Sequence, residues 1–588
     1  MRVLLLVSAF NGLTQRTWIE LRRDGHWVTV ELATSGAAMR EAVRLARPDL
    51  ILCPYLKERV PRDIWSTHRT IIIHPGPVGD RGPSSLDWAI VNGEPHWGVT
   101  ALQAVDEVDA GPIWSTVEFP MPRRGVAKST LYNGPVADAA LAVVHDVVAK
   151  AADSTFTPMP LDYSRADVRG TLRPLMRQDT RRIDWSADTT DDVTRKINAS
   201  DGSPGAVCTL AGEEVYAYDA RGRGDASHYP PGHIVARSDG AVLVSTADST
   251  SALWIGHLRH VGGPKLPASH ILRHRLHGVA DATLAPHQPG ESRTYREIRY
   301  KRTGPIGWLG FDFYNGAMST SQCRRLATAF RYATEQNTRV IVFRGSDTAF
   351  SNGIHLGTIE GSGQPAAESW ANIQAMDDLC REIITCTSQL VVAGVSGNAG
   401  AGGVMLALGA DVAAARRGVV LNPHYSTMNL YGSEYWTYLL PRRVGRDSAD
   451  QLTTECLPVG DLEALSMGLV DRLLDRDPYR YDEQLLELAE NLAGHGWDEA
   501  VTSKRRRRET DERATPLEVY RARELTRMAH DFNSDEYDRR RLAFVSKDRP
   551  KSTPLRLALH RRDGAGPRLT SAMRSSVLTE DSIAATKP

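Results

Sequence analysis

Along residues 1–150, short apolar runs alternate with amphipathic stretches: 3–8, 28–31, 50–52 and 70–73 read as strands, 14–24 and 37–46 as helices. That strand–helix–strand rhythm predicts a mainly parallel sheet with helices on its faces. Between residues 158 and 290 the texture changes to short alternating strands at 205–210, 215–218, 232–236 and 241–245, after a helix at 190–199. Gly, Asp and Ser clusters separate them, so a small all-β unit, barrel or sandwich, is expected. The Pro- and Gly-containing stretch 286–292 reads as a linker. An α/β rhythm then returns, with strands at 306–311, 340–343 and 390–395 and helices at 320–336, 368–387, 435–440 and 482–493. The Arg- and Ser-rich tail after Pro550 is expected to be partly disordered.

A chain of 588 residues exceeds what one hydrophobic core supports. The pattern divides it into residues 1–160, 161–288, 289–549 and a tail, 550–588. Lys and Arg number 71 and Asp and Glu also 71, so no electrostatic case exists for a nucleic-acid or anionic-membrane partner. The run Arg505-Arg506-Arg507-Arg508 is followed by Glu509, Asp511 and Glu512, and reads as a solvated helix face. Six cysteines are scattered without a C-x-x-C pair, which argues against a zinc site or a disulfide framework, and Cys380 and Cys386 read as core packing on a helix. The opening apolar run is too short to span a bilayer and lacks a cleavage-site pattern, so the chain reads as cytoplasmic, with no membrane partner. No G-x-G-x-x-G follows the first strand, which removes the dinucleotide-binding reading.

The first chemical constellation is Ile72-Ile73-His74-Pro75-Gly76-Pro77, then Arg81-Gly82-Pro83-Ser84-Ser85-Leu86-Asp87-Trp88-Ala89-Ile90, then Asp109-Ala110-Gly111. His74, whose ordinary pKa lies near 6.5, can donate a hydrogen bond and move a proton, and Asp109 can orient its ring. Alone, the two could equally cap a strand and a turn. Together, the ordered elements resemble the folate-dependent formyltransferases, which show an N-x-H-P strand end, an R-G-x-x-P-x-x-W-A-I segment and a later D-x-G. The resemblance implies a Rossmann-like catalytic domain over residues 1–160, an accessory OB-like β domain carrying Arg182-Ile183-Asp184-Trp185-Ser186, and a 10-formyl-tetrahydrofolate donor. One departure stands out: Ile72 occupies the place of an amide that helps bind the oxyanion. Losing one such donor costs about 2.7–4 kcal/mol, which makes a thiol acceptor, a stronger nucleophile than an amine, attractive.

The second constellation, Phe350-Ser351-Asn352-Gly353-Ile354-His355 and Ser396-Gly397-Asn398-Ala399-Gly400-Ala401-Gly402-Gly403, resembles the two oxyanion loops of the crotonase (enoyl-CoA hydratase/isomerase) family. The resemblance continues through Leu440-Pro441-Arg442-Arg443-Val444-Gly445 and implies that the Ile354 and Gly402 N–H groups polarise a thioester carbonyl. Met405 and Tyr425 stand where hydratases carry their two catalytic glutamates, so water addition to a double bond is not expected. Glu434 and Tyr425 remain as titratable candidates, Glu434 as base and Tyr425 as hydrogen-bond donor or acid. Interface packing is the competing reading for both. His355 lies beside the first loop, but spacing gives it no role.

A formyl donor and a thioester site share one natural intermediate, formyl-CoA, and the combined architecture resembles the HypX (HoxX) family of hydrogenase maturation proteins. That resemblance implies conversion of the formyl group of 10-formyl-tetrahydrofolate into carbon monoxide for the nickel–iron hydrogenase, with coenzyme A as carrier, no metal ligands, and other maturation proteins as partners. Ser351 and Gly353 are expected to border the CoA, while Asn315 and Arg549 are weaker candidates for its phosphates or adenine. Two other readings stay open: an amine or nucleotide-sugar formyltransferase fused to a CoA-thioester hydrolase, and a non-catalytic folate- and CoA-binding scaffold.

Overall fold

The computed structural model describes residues 1–122, 125–288, 294–548 and 550–562. The first sheet contains β1 (Arg2–Val7), β2 (Trp27–Leu32), β3 (Leu50–Cys53), β4 (Thr70–His74), β5 (His96–Gln103) and β6 (Ile113–Pro120), in the order β2-β1-β3-β4-β5-β6. Strands β1 to β4 pair in parallel, and β5 and β6 then add antiparallel. β1 is apolar on both faces because both are covered: Val3, Leu5 and Val7 join one core and Leu4 and Leu6 another. His74 is the last residue of β4, at the carboxyl end of the parallel strands, where open α/β sheets place their ligands.

The second sheet holds β7 (Ala206–Leu210), β8 (Glu213–Asp225), β9 (Ile234–Ser238), β10 (Ala241–Ser245), β11 (Ser251–Arg259), β12 (Leu266–Pro267) and β13 (Ala280–Asp281). Val193 and Ile197, from the helix Thr190–Ala199, fill its core with Cys208, Val215, Val242 and Ile255. That helix starts on a capping box in which Thr189 and Asp192 satisfy each other's backbone N–H groups.

The third unit has two sheets. The larger joins β14 (Ile298–Thr303), β15 (Ile306–Phe311), β16 (Val340–Arg344), β18 (Leu390–Val395), β20 (Val412–Arg416) and β23 (Arg472–Leu474); the smaller joins β17 (Ala349–Ser351), β19 (Asn398–Gly400), β21 (Val420–Asn422) and β22 (Val459–Gly460). The chain crosses from the larger to the smaller sheet three times, at β16–β17, β18–β19 and β20–β21. Two of these crossings deliver the predicted oxyanion loops to neighbouring positions. Among the described residues no helix is long and apolar enough to cross a membrane.

The first part of the tail is placed, and one expectation is corrected. Residues 550–562 are ordered against the edge strand β2: the Val30 N–H donates to the Leu557 carbonyl at 3.1 Å, and Leu557 joins the first core. The remainder of the tail, like part of the predicted linker and Arg549, lies outside the described residues. The basic run is also not wholly solvated, since Arg508 packs its guanidinium over Tyr438 and pairs with Glu512 at 2.7 Å.

Candidate active sites

At the end of β4, His74 is buried, with a carboxylate bonded to one ring nitrogen and a second near the other. Its Nε2–H donates to Asp80 Oδ2 at 2.9 Å, while Asp109 Oδ2 lies 3.6 Å from Nδ1, beyond hydrogen-bond reach. Asp109 sits in the left-handed region at φ 54° and accepts the Gly82 N–H at 3.2 Å, which ties it to the Arg81–Gly82 turn. Asp80 is fully buried and its second oxygen accepts from Arg173 Nε at 3.1 Å. Burial alone would push the His74 pKa down, but the hydrogen bond to Asp80 and the charges of Asp109 and Asp80 outweigh it and leave the value raised. The loop that follows is fixed by its own carbonyls: Pro75 O accepts from Ser85 Oγ and Trp97 Nε1, and Gly76 O from Thr100 Oγ. Ile72 points into the apolar cluster around Leu4, Leu6 and Cys53 and offers no donor.

In the third unit, Gly402 is the first residue of the helix Gly402–Leu408, and the Cα of Gly353 on the other loop approaches it: a Cβ on Gly353 would lie 3.3 Å from Gly402 N. Neither the Ile354 nor the Gly402 N–H donates a hydrogen bond among the described residues, so both are free for a carbonyl oxygen. Ser351 is buried and its Oγ accepts the Gly353 N–H at 3.1 Å, shaping the first loop. The Asn315 carbonyl accepts from Asn352 Nδ2 at 2.8 Å, beside the same loop. His355 caps the helix Leu356–Gly361 by accepting the Thr358 N–H at 3.1 Å; burial pushes its pKa down to about 4, and it serves the backbone.

Glu434 faces this oxyanion loop directly, for a Cβ on Gly402 would fall 2.0 Å from Glu434 Oε1. Tyr425 OH donates to Glu434 Oε2 at 3.0 Å, as does the Ser433 N–H at 3.1 Å. Glu434 and Tyr435 both sit in the left-handed region, each at φ 60°, unusual for such residues and held by anchors the sequence reading missed. Asp377 Oδ1 accepts the Glu434 N–H at 2.8 Å, and Glu524 Oε2 accepts the Tyr435 N–H at 2.9 Å. Burial, then the charge of Asp377, pushes Glu434 up to about 8; burial raises Asp377 to about 7 and Glu524 to about 8. Both anchors were visible as carboxylates on apolar helix faces, Asp377 between Ile373, Met376 and Cys380, and Glu524 between Leu517 and Met528. Asp80 had no such signal, because a Gly- and Pro-rich turn normally contains an Asp.

Comparison with known proteins matches two families to separate stretches of the chain. The formyl transferase C-terminal domain family matches residues 175–276, and the enoyl-CoA hydratase/isomerase family matches residues 314–553. The hydrogenase maturation factor HoxX of Bradyrhizobium diazoefficiens is 45% identical over 95% of this chain and 97% of its own length. The chain belongs to the HypX/HoxX family of hydrogenase maturation factors. A HypX/HoxX member of solved structure, HypX from Aquifex aeolicus in complex with tetrahydrofolic acid, is 40% identical and superposes with a TM-score of 0.91, covering 96% of this chain and all of that one. A methionyl-tRNA formyltransferase of a Roseiflexus species is 29% identical over 38% of this chain and 68% of its own length.

Proposed function

We propose that this chain makes carbon monoxide from the formyl group of 10-formyl-tetrahydrofolate through formyl-CoA. Support for the folate comes from the tetrahydrofolic acid complex of the Aquifex relative and from His74 at the end of β4, with Asp109 of the β5–β6 loop 3.6 Å from its Nδ1. In the first step the CoA sulfur forms a bond to the formyl carbon, the bond from that carbon to N10 of the folate breaks, and the thiol proton ends on N10. His74 relays the proton at Nδ1 and stabilises the oxyanion, with Asp109 beside that nitrogen. A cleft at the junction of the first and third units, lined by Gly12, Arg16 and Asn133 on one side and Thr348, Asn398 and Arg417 on the other, offers the carrier room beside the second oxyanion loop.

In the second step the Ile354 and Gly402 amides hold the thioester oxygen. The ionised Glu434 takes the formyl proton, that electron pair stays on carbon as CO forms, and the C–S pair leaves with sulfur, which is then protonated through the Tyr425–Glu434 pair. The observation that carries this reading is the Glu434 carboxyl, lying against Gly402 with its pKa pushed up to about 8, where a hydratase would hold a glutamate elsewhere. Full-length protein incubated with 10-formyl-tetrahydrofolate and CoA should produce the CO spectrum of an added haem protein, and should not without CoA. Tyr425→Phe with Glu434→Gln should lower the CO yield about a hundredfold or more while folate turnover to formyl-CoA continues. Folate consumption with no CO from the wild type would overturn the second step; consumption independent of CoA would overturn the first.

A further inference from the structure

The first site holds one group that neither the formyltransferase resemblance nor the proposed steps use. Asp80 is fully buried six residues beyond His74, makes the shorter of the two carboxylate contacts to its ring at 2.9 Å, and is held from the far side by Arg173 at 3.1 Å. Arg173 is itself fixed, its Nη2 pairing with Glu94 at 3.2 Å and its guanidinium lying over the Trp97 ring. Gly76 makes the arrangement possible: a Cβ there would fall 2.4 Å from Asp80 Oδ2 and 2.6 Å from His74 Nε2. The chain thus closes a turn over its own His–Asp pair, and a side chain at position 76 would push the two apart.

We propose that Asp80, locked by Arg173, is a positioning residue for formyl transfer: it commits His74 Nε2–H to itself, turns Nδ1 toward Asp109 and the substrate, and favours the charged ring. This rests on the assignment of formyl transfer to His74. An imidazolium whose free Nδ1–H faces the formyl oxygen supplies the oxyanion donor that Ile72 cannot. Were Asp80 absent, the ring could rotate or change tautomer and Asp109 alone would hold it, through a contact of 3.6 Å. The remaining charged neighbours do not compete for the ring: Arg81 pairs with Glu107 at 2.7 Å and Glu94 with Arg173. The raised pKa of His74 is consistent with this arrangement.

Two substitutions in the full-length chain test it by opposite signs. Asp80→Asn removes a negative charge from the ring, so the falling limb of the pH profile for CoA-dependent folate consumption should move to lower pH, with a loss of about tenfold or more near pH 8 and a smaller loss near pH 6. Arg173→Gln removes a positive charge and should move the same limb the other way. Tetrahydrofolate affinity should change little in either. Nitrogen-15 NMR of the histidine rings, with His74→Gln to identify the resonance, reads tautomer and titration without any turnover: Asp80→Asn should lower the His74 midpoint and weaken its Nε2–H preference. A His74 signal unchanged in tautomer and titration by Asp80→Asn, or shifts of one sign in both variants, would overturn the proposal. Wild-type protein that fails to transfer formyl to CoA while its His74 signal responds as stated would count against the assigned reaction and leave the positioning role standing.

Discussion

Asp377, Glu434 and Glu524 bring three carboxylates into one buried cluster, where Arg521 approaches Asp377 at 3.7 Å but pairs more closely with Asp378, at 2.7 Å. Burial raises all three, and the charge of Asp377 adds to the rise of Glu434 and Glu524, so between the ordinary carboxylate range and about pH 8 the folded chain binds more protons than the unfolded one. Stability therefore falls as pH rises across that window. Asp377→Asn keeps an oxygen to accept the Glu434 N–H and removes one like charge. Glu434 should then titrate roughly one unit lower, moving the rising limb of CO release to lower pH, and urea denaturation should show a smaller loss of stability between pH 6 and about pH 9. An unmoved limb would show that Asp377 does not couple to the reacting carboxylate. How far this was readable follows the same physics. Tyr425 and Glu434 could be singled out by their place after the oxyanion loops, and the structure joins them at 3.0 Å. The two anchoring carboxylates leave a trace as charges on apolar helix faces, whereas Asp80 acts through burial in a turn where an Asp is ordinary.

At the level of elements, long apolar runs were legible and short ones were not. β1, β16 and β18 stand out because strands buried on both faces read as continuous hydrophobic runs. β11 was overlooked although seven of its nine residues are buried, because without alternation and with His257 and Gly256 inside it, the segment has no period to detect. β17, β19, β21 and β22 have two or three residues each, too few for any pattern, yet they set the oxyanion loops. The helix Gly402–Leu408 must begin on a residue without a side chain, since Glu434 occupies the space a Cβ would take. Gly402→Ala should displace Glu434 and close the amide pair to a carbonyl oxygen, lowering CO release from supplied formyl-CoA by about 10²–10³. CoA-dependent folate consumption should remain within about twofold of wild type, because the elements this helix mainly packs against, the helices Pro365–Thr385 and Trp436–Val444 and strands β17 to β20, belong to the third unit. Parallel loss of both activities would mean that the two sites do not operate as separable steps.

Across the whole molecule, the two ends of the described chain meet. β2 is the edge of the first sheet, and an exposed edge is a row of unpaired backbone groups that invites association. Residues 550–562 occupy that edge: Thr553 Oγ accepts the Leu32 N–H at 2.8 Å, His560 Nδ1 lies 2.7 Å from Thr29 Oγ, and Arg561 pairs with Glu31 at 3.0 Å and Glu41 at 2.8 Å. The segment thus leaves the third unit and seals the first, coupling the stability of the sheet that carries His74 to the C-terminal side of the chain. Leu557, nearly inaccessible in the first core, is the anchor. Leu557→Ala should cost about 3 kcal/mol, the ordinary penalty for emptying a buried leucine site. The loss should fall on the first unit, so that calorimetry resolves an earlier transition, suppressed by tetrahydrofolate, while CO release from supplied formyl-CoA survives at temperatures below it. Arg561→Ala, which removes an exposed pair with Glu41 and one partner of the buried Glu31 while His560 Nε2 still lies 3.1 Å from that carboxylate, should cost about 1–3 kcal/mol. If Leu557→Ala leaves the first transition in place, the segment covers the edge without supporting the domain beneath it.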